Sequence, residues 1–234
     1  MPGPIGWAAI AAVVTLALLL TYAVRGRSAT LLASSIWKGP RDRAAVALTF
    51  DDGPSESTPL LLEILARFGV RATFFVNGAN VSRLPEIARQ IQRAGHEIGN
   101  HGQSHPYYYF RSAAFIRDDL SAAQRTIAEV TGVEPRFFRA PYGVRWFGLG
   151  AAQASLGLMG VMWTIIGQDW KRPAGAVVER VMKNIRNGAI ICLHDGRTTT
   201  ANPDIRATLD AVSSLVPQLQ SRGYNFVTVS ELTR

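Results

Sequence analysis

From about residue 44 onward, short runs rich in β-branched and aromatic residues alternate with stretches whose apolar residues recur at helical spacing. The strand-like runs are Val46–Phe50, Thr73–Val76, Glu97–Asn100, Phe137–Arg139, Val161–Thr164, Ala189–Leu193 and Phe226–Val229. The first helical stretch has Thr58 as a cap, Pro59 at the first helical position, an apolar face of Leu61, Ile64, Leu65 and Phe68, and Gly69 as a stop. Another runs from Pro85 to Ala94, and a third carries Ile116, Leu120, Ala123, Ile127 and Val130 at steps of four and three. Three more are expected around Phe147–Leu156, Ala174–Asn187 and Ile205–Arg222. Strand, helix and strand repeated in this way require a parallel sheet, and about seven units predict a barrel-like α/β domain slightly smaller than an eightfold barrel.

Ahead of this pattern, Ile5 to Val24 carries no charged residue, and about 20 helical residues match the ~30 Å hydrocarbon core of a bilayer. The run reads as a transmembrane anchor or a signal segment. A signal peptide has a basic start and a shorter apolar region, whereas this chain begins Met-Pro-Gly-Pro, which favours an anchor; Thr21-Tyr22-Ala23 still offers small residues for cleavage. The expected organisation is residues 1–27 as anchor or signal, 28–43 as a basic linker, and 44–234 as the α/β domain. Arg25, Arg27, Lys38, Arg41 and Arg43 follow the apolar run, and the positive-inside tendency would hold that side in the cytoplasm.

The net charge of +8 favours anionic surfaces such as phospholipid or an acidic polymer. Basic residues are spread along the chain without a dense run interleaved with aromatics, so no nucleic-acid partner is expected. One cysteine, Cys192, excludes an internal disulfide and is expected to be a buried thiol. Oligomeric state is not legible.

In barrels of this type, reactive groups gather where strands end. Here Asp51 and Asp52 follow the first strand, His101 the third, Arg139 the fourth and His194 the sixth, with Asp169 beyond the fifth. Neighbouring strand residues point to opposite faces, so Asp51 and Asp52 converge only where the strand breaks, and Gly53-Pro54 provides the break. Standing alone, the pair reads equally well as an Asp-rich turn. In "NHGQSHP", His101 and His105 are four apart and would share one face of a helical turn closed by Pro106. With a nearby carboxylate they would form a two-histidine, one-carboxylate metal face with open positions. Three further stretches are "FRAPYG" with Arg139, Pro141 and Tyr142, "GQDW" with Asp169 and Trp170, and "ICLHDG" with Cys192 and His194.

As a set, in this order, these stretches resemble the polysaccharide deacetylases of the NodB-homology type, carbohydrate esterase family 4, from about Ala44 to Leu232. The resemblance implies a distorted (β/α) barrel and a metal-dependent deacetylase of N-acetylhexosamine-containing glycans such as peptidoglycan or chitooligosaccharides. It implies that Asp52, His101 and His105 hold a divalent metal, usually zinc, that Asp51 is the base, and that His194 is the general acid. Arg139 is then the partner of Asp51, and Asp169 the partner of His194. Tyr142 would offer its backbone N–H to an oxyanion; with Pro141, Trp170 and Cys192 it would form the substrate groove. The related alternatives are an O-acetyl esterase, an inactive glycan-binding module and a small-molecule amidohydrolase. An acetylated glycan as substrate requires a periplasmic or extracellular domain, against the charge bias after Val24.

Three positions depart from the family pattern. Gly102 stands where Ser or Thr is usual, which predicts the loss of a hydrogen bond behind the metal histidines. Ile166 replaces an Asp and leaves Arg139 short of a carboxylate; Cys192 replaces a Leu of the acetyl pocket. His96 reads as structural, and Tyr107 to Phe110 as packing or as a sugar-stacking edge.

Overall fold

The computed structural model describes residues 2–234. Among them nine strands, β1 (Ser35–Ile36), β2 (Ala45–Asp51), β3 (Thr73–Val76), β4 (Glu97–Asn100), β5 (Phe137–Phe138), β6 (Met159–Val161), β7 (Ile165–Ile166), β8 (Ala189–His194) and β9 (Asn225–Phe226), form one parallel sheet. Its order is β1-β6-β5-β4-β3-β2-β8-β7, with β9 paired to the start of β2. The helices are α1 (Pro4–Arg25), α2 (Thr58–Arg67), α3 (Gly78–Arg83), α4 (Pro85–Arg93), α5 (Ala113–Thr131), α6 (Leu149–Ser155), α7 (Ala174–Asn184), α8 (Arg206–Ser221) and α9 (Val229–Leu232).

The expected distorted barrel is present, with β1 and β7 as the two ends of an open, curled sheet. All seven residues of β2 are buried, as a central parallel strand covered on both faces requires. Leu61 and Leu65 of α2, Val177 and Val181 of α7, and Leu215 and Leu219 of α8 close one face, in one core cluster with Val46, Leu48 and Phe50. On the inner face Ala45, Ala47, Phe75 and Ile190 meet Val229 and Leu232 of α9, which plugs the end of the barrel where strands begin.

Two expected strands are corrected. Phe226–Val229 does not run on as a strand: Thr228 accepts from the Glu231 backbone and Glu231 accepts from that of Thr228, a capping box that starts α9. Val161–Thr164 is not one strand either. After β6 the chain leaves one end of the sheet, Met162 N donates to Ile36 O and Thr164 N to Ile190 O, and β7 then joins β8 at the other end. This bridging segment carries carbonyls that the site uses.

The stretch expected to be a linker is built into the fold. Ser35 and Ile36 pair with Gly160 and Val161, and Ala29 and Ala33 are buried. Helix α1 leaves its apolar side chains exposed, from Ile5 to Leu20.

Candidate active site

Asp51 ends β2, and its backbone lies in register with Phe75 and His194. Asp52 takes φ 73°, a left-handed conformation that Asp tolerates better than most residues. This residue itself, ahead of Gly53-Pro54, makes the reversal that lets two neighbours converge. Its carbonyl is held by Asn80 Nδ2 at 2.7 Å and Asn77 Nδ2 at 3.3 Å. A Cβ at Gly53 would collide with the carboxylate of Asp195, so the turn has room only for glycine.

Asp52 Oδ1 lies 2.9 Å from His105 Nε2 and 3.3 Å from His101 Nε2, while Oδ2 accepts the Thr198 N–H at 2.9 Å. His101 Nδ1 is 2.7 Å from Arg139 O, so Nδ1 carries the proton and Nε2 presents its lone pair toward Asp52. Asp52 Oδ1 is buried and receives no well-aligned hydrogen bond. Burial would raise the Asp52 pKa, but the two facing imidazoles, when protonated, outweigh it and hold the carboxyl well below its usual range. Three donors from three buried side chains, all within 4.8 Å of one another, with an orphaned carboxylate oxygen among them, fit a single divalent cation.

The two histidines are not on a helical turn. Gly102 has φ 79° and His105 φ 56°, values that no helix accommodates, and residues 101–106 run as an irregular loop. Asp119 of α5 holds that loop, accepting from Gln103 N at 3.1 Å, Ser104 N at 3.3 Å, Ser104 Oγ at 3.1 Å and Tyr108 Oη at 3.0 Å. Sequence reasoning missed Asp119, although an acidic residue three positions after Ile116 on the apolar stripe of α5 was the available signal. His105 Nδ1 is buried without a hydrogen-bond partner.

Arg139 is fully buried and donates to Asp51 Oδ1 at 2.6 Å and Thr49 Oγ1 at 2.7 Å through Nη1, to Met162 O at 3.2 Å through Nη2, and to Val161 O at 3.1 Å through Nε. Backbone carbonyls of the bridging segment and a threonine thus take the Arg139 donors that Asp51 does not. The Cys192 thiol donates to Asp51 Oδ2 at 3.3 Å, a contact that sequence reasoning missed; burial and the Asp51 charge push this thiol's pKa well up, so it stays protonated.

His194 ends β8, and its Nδ1 is 2.9 Å from Asp169 Oδ1. Asp169 Oδ2 accepts from the His194 backbone at 2.9 Å and from Thr208 Oγ1 at 2.6 Å, which fixes the carboxylate and leaves His194 Nε2 for the cavity. Burial alone would lower the His194 pKa, but Asp169, with Asp52 and Asp51 behind it, raises it to about 9. Asp51, Cys192 and His194 each place one polar atom within 4.8 Å of the others.

These groups open into one cavity of about 520 Å³, walled by Tyr107, Tyr142, Trp163, Ile166 and Trp170 and bordered by Arg25, Arg197 and Thr198. Tyr142, at φ 57°, stacks on Tyr107 with ring centroids 3.6 Å apart and meets His105 edge-on at 4.5 Å. Trp170 sits edge-on to His194 at 4.9 Å. Pro141 is buried and does not line the cavity, whereas Cys192 does. Of the aromatic run, Tyr107 reaches the cavity and Tyr108 is core. His96 accepts from Ala72 N, away from the site, and burial with the nearby Arg71 charge lowers its pKa to about 4. Asp195, also missed, lies beneath the Asp51-Asp52 turn, bonded to Thr58 Oγ1 at 2.7 Å; burial pushes its pKa to about 7.

Residues 38–161 match the family model described as polysaccharide deacetylase. The chain is 38% identical over 197 residues to a chitooligosaccharide deacetylase of Bradyrhizobium sp., covering 80% of this chain and 90% of that one. It is 35% identical over 202 residues to a peptidoglycan-N-acetylglucosamine deacetylase of Bacillus cereus, covering 85% and 92%. A solved peptidoglycan N-acetylglucosamine deacetylase, in complex with 4-naphthalen-1-yl-N-oxidanyl-benzamide, superposes with a TM-score of 0.80 at 32% identity, over 85% of this chain and 92% of that one.

Proposed function

The chain belongs to the polysaccharide deacetylase family, a family of hydrolases, and on that premise we propose that it removes N-acetyl groups from an N-acetylhexosamine-containing glycan and releases acetate. The observation that carries the reading is the convergence, in one cavity, of the Asp52–His101–His105 cluster with an Arg139-held Asp51 and an Asp169-held His194.

Asp52, His101 and His105 would hold the cation, and two imidazoles with one carboxylate suit zinc. When bound, such an ion supplies a Lewis acid that acidifies water and polarises a carbonyl. Asp51 takes the proton of the water whose oxygen attacks the acetamide carbon, and Arg139 keeps that carboxylate pointed at the cavity. The Tyr142 backbone N–H, turned by its left-handed conformation, donates to the oxyanion. As the carbon–nitrogen bond breaks, His194 Nε2 passes its proton to the departing nitrogen, and the products are acetate and a free amine. A pKa of about 9 means that His194 begins the cycle protonated at neutral pH. Tyr142, Trp170 and Tyr107 offer faces for a sugar ring, and Ile166 and Cys192 an apolar lining for the acetyl methyl.

We read α1 as a membrane anchor: its 22 residues, at 1.5 Å each, span about 33 Å, and its apolar side chains lack a protein partner over most of its length. The glycan substrate then puts the domain in the periplasm or outside the cell, with the basic residues after Val24 overridden. A reporter fused after Arg234 that reports a cytosolic location would sink this placement.

The test of the activity is acetate release by the purified chain from N-acetylated chitooligosaccharides, peptidoglycan and O-acetylated xylan, with chelator and with added zinc. Chelator-sensitive release from the N-acetylated glycans is expected. Release that is indifferent to chelator, or none from any of them, would overturn it.

A further inference from the structure

Residues between α1 and β1 do not form a free tether. Arg145 N donates to Val24 O at 3.0 Å, and the buried Arg145 guanidinium donates to Ala29 O at 2.6 Å, to Ser35 Oγ at 3.0 Å and to Gly26 O. Arg27 donates to Thr164 O at 2.5 Å, and Ala23, Val24 and Ala29 are buried. Arg25, the last residue of α1, lines the catalytic cavity and lies against Tyr109, with Nε 2.5 Å from Oη.

Tyr109 continues into an aromatic cluster. Its ring is 5.6 Å from that of Trp146, which in turn is 4.9 Å from Phe110 and 5.3 Å from Phe147. Phe110 is 86% exposed and Phe147 56%, so two large rings face outward beside the end of an apolar helix. Tryptophan and tyrosine concentrate at the depth of lipid headgroups, exposed phenylalanine buries at the boundary of headgroups and acyl chains, and arginine at the end of a span lies at the same level.

We propose that residues 23–29 and the collar of Tyr109, Phe110, Trp146 and Phe147 fix the mouth of the catalytic cavity at the bilayer surface, so that its substrate is a glycan presented there. This rests on the reading of α1 as an anchor. Arg25 belongs at once to the span and to the cavity wall, so the depth of the helix sets the depth of the site. A domain on a flexible linker would instead sample the space around its anchor.

The test uses the full chain in nanodiscs of phosphatidylcholine and phosphatidylglycerol that contain a headgroup spin-labelled lipid. Bimane is attached to Phe110→Cys or Phe147→Cys, with Arg222→Cys, between α8 and β9 at the opposite end of the sheet, as reference. Quenching at 110 and 147 several-fold above that at 222 is expected. A twenty-residue Gly-Ser insertion between Tyr22 and Ala23 keeps the clamped segment but frees the domain; it should bring the quenching down to the reference while the chain stays in the disc. The same insertion should lower, by about tenfold, the rate on chitotetraose coupled to phosphatidylethanolamine relative to the rate on free chitotetraose. Equal quenching at all three positions, or an unchanged rate ratio, overturns the placement. Failure of the chain to enter discs overturns the anchor reading with it. Absence of acetate from either substrate overturns the deacetylase reading, and the quenching still decides the placement.

Discussion

Arg139 donates to Asp51 Oδ1 at 2.6 Å, and neither side chain is more than 5% exposed. Replacing one partner of such a pair strands the other charge away from water, at about 3–5 kcal/mol. Lysine cannot reproduce the four donations that Arg139 makes to Asp51, Thr49, Val161 and Met162. Arg139→Lys and Arg139→Met should therefore both lower the midpoint of denaturant unfolding and depress kcat; wild-type kcat in either would refute the positioning role.

Asp51 and Asp52 are assigned unlike tasks. Asp51→Asn should keep one metal per chain by elemental analysis while kcat for acetate release falls by about 10²–10⁴. Asp52→Asn should lose metal as well as turnover. Metal loss in the first or full metal in the second would reverse the assignment.

The alkaline limit of activity should follow His194. Its pKa of about 9 stands above the free imidazole value of ~6.5 because of Asp169, and a general acid works only below its pKa. Activity should be lost as pH rises through that value, and Asp169→Asn, by removing negative charge, should move the limb to lower pH. The His194 pKa, followed by NMR in the metal-free chain, should fall in the same variant. An unmoved pKa would sink the argument.

Gly102→Ser would supply a hydroxyl next to His101, yet it should not help. Gly102 has φ 79°, and an added Cβ would stand 2.6 Å from Asp119 Oδ2, the carboxylate that holds the histidine loop. We predict a lower unfolding midpoint and weaker zinc binding by titration calorimetry. Tighter zinc binding would show that the loop relaxes to accept a side chain.

A chain that starts at Thr30 should be less stable than one that starts at Ala23, because Arg145 would lose the carbonyls of Val24, Gly26 and Ala29. Thermal unfolding of the two truncations in detergent compares them directly; equal midpoints would mean that the clamp contributes nothing.

The strand–helix alternation and the reactive residues at strand ends were legible in the sequence because both are local: periodicity sets which face is apolar, and in a parallel sheet every strand delivers its last residue to the same rim. That is why Asp51, Asp52, His101, Arg139, Asp169 and His194 could be named in advance. What local pattern could not carry is the conformation between strands. The i,i+4 spacing of His101 and His105 suggested a helical turn, but Gly102 and His105 adopt left-handed angles because Asp119, far along the chain, collects the loop's donors. Asp195 and the carbonyls of Val161 and Met162 were likewise invisible, since a polar group's partner is set by what packs against it rather than by its neighbours in sequence. The apolar run at residues 5–24 spoke for a membrane segment through its length and lack of charge. Only the tertiary structure decided that the residues after it are clamped to the domain by a buried arginine, because a hydrogen bond from residue 145 to residue 26 leaves no trace in either local stretch.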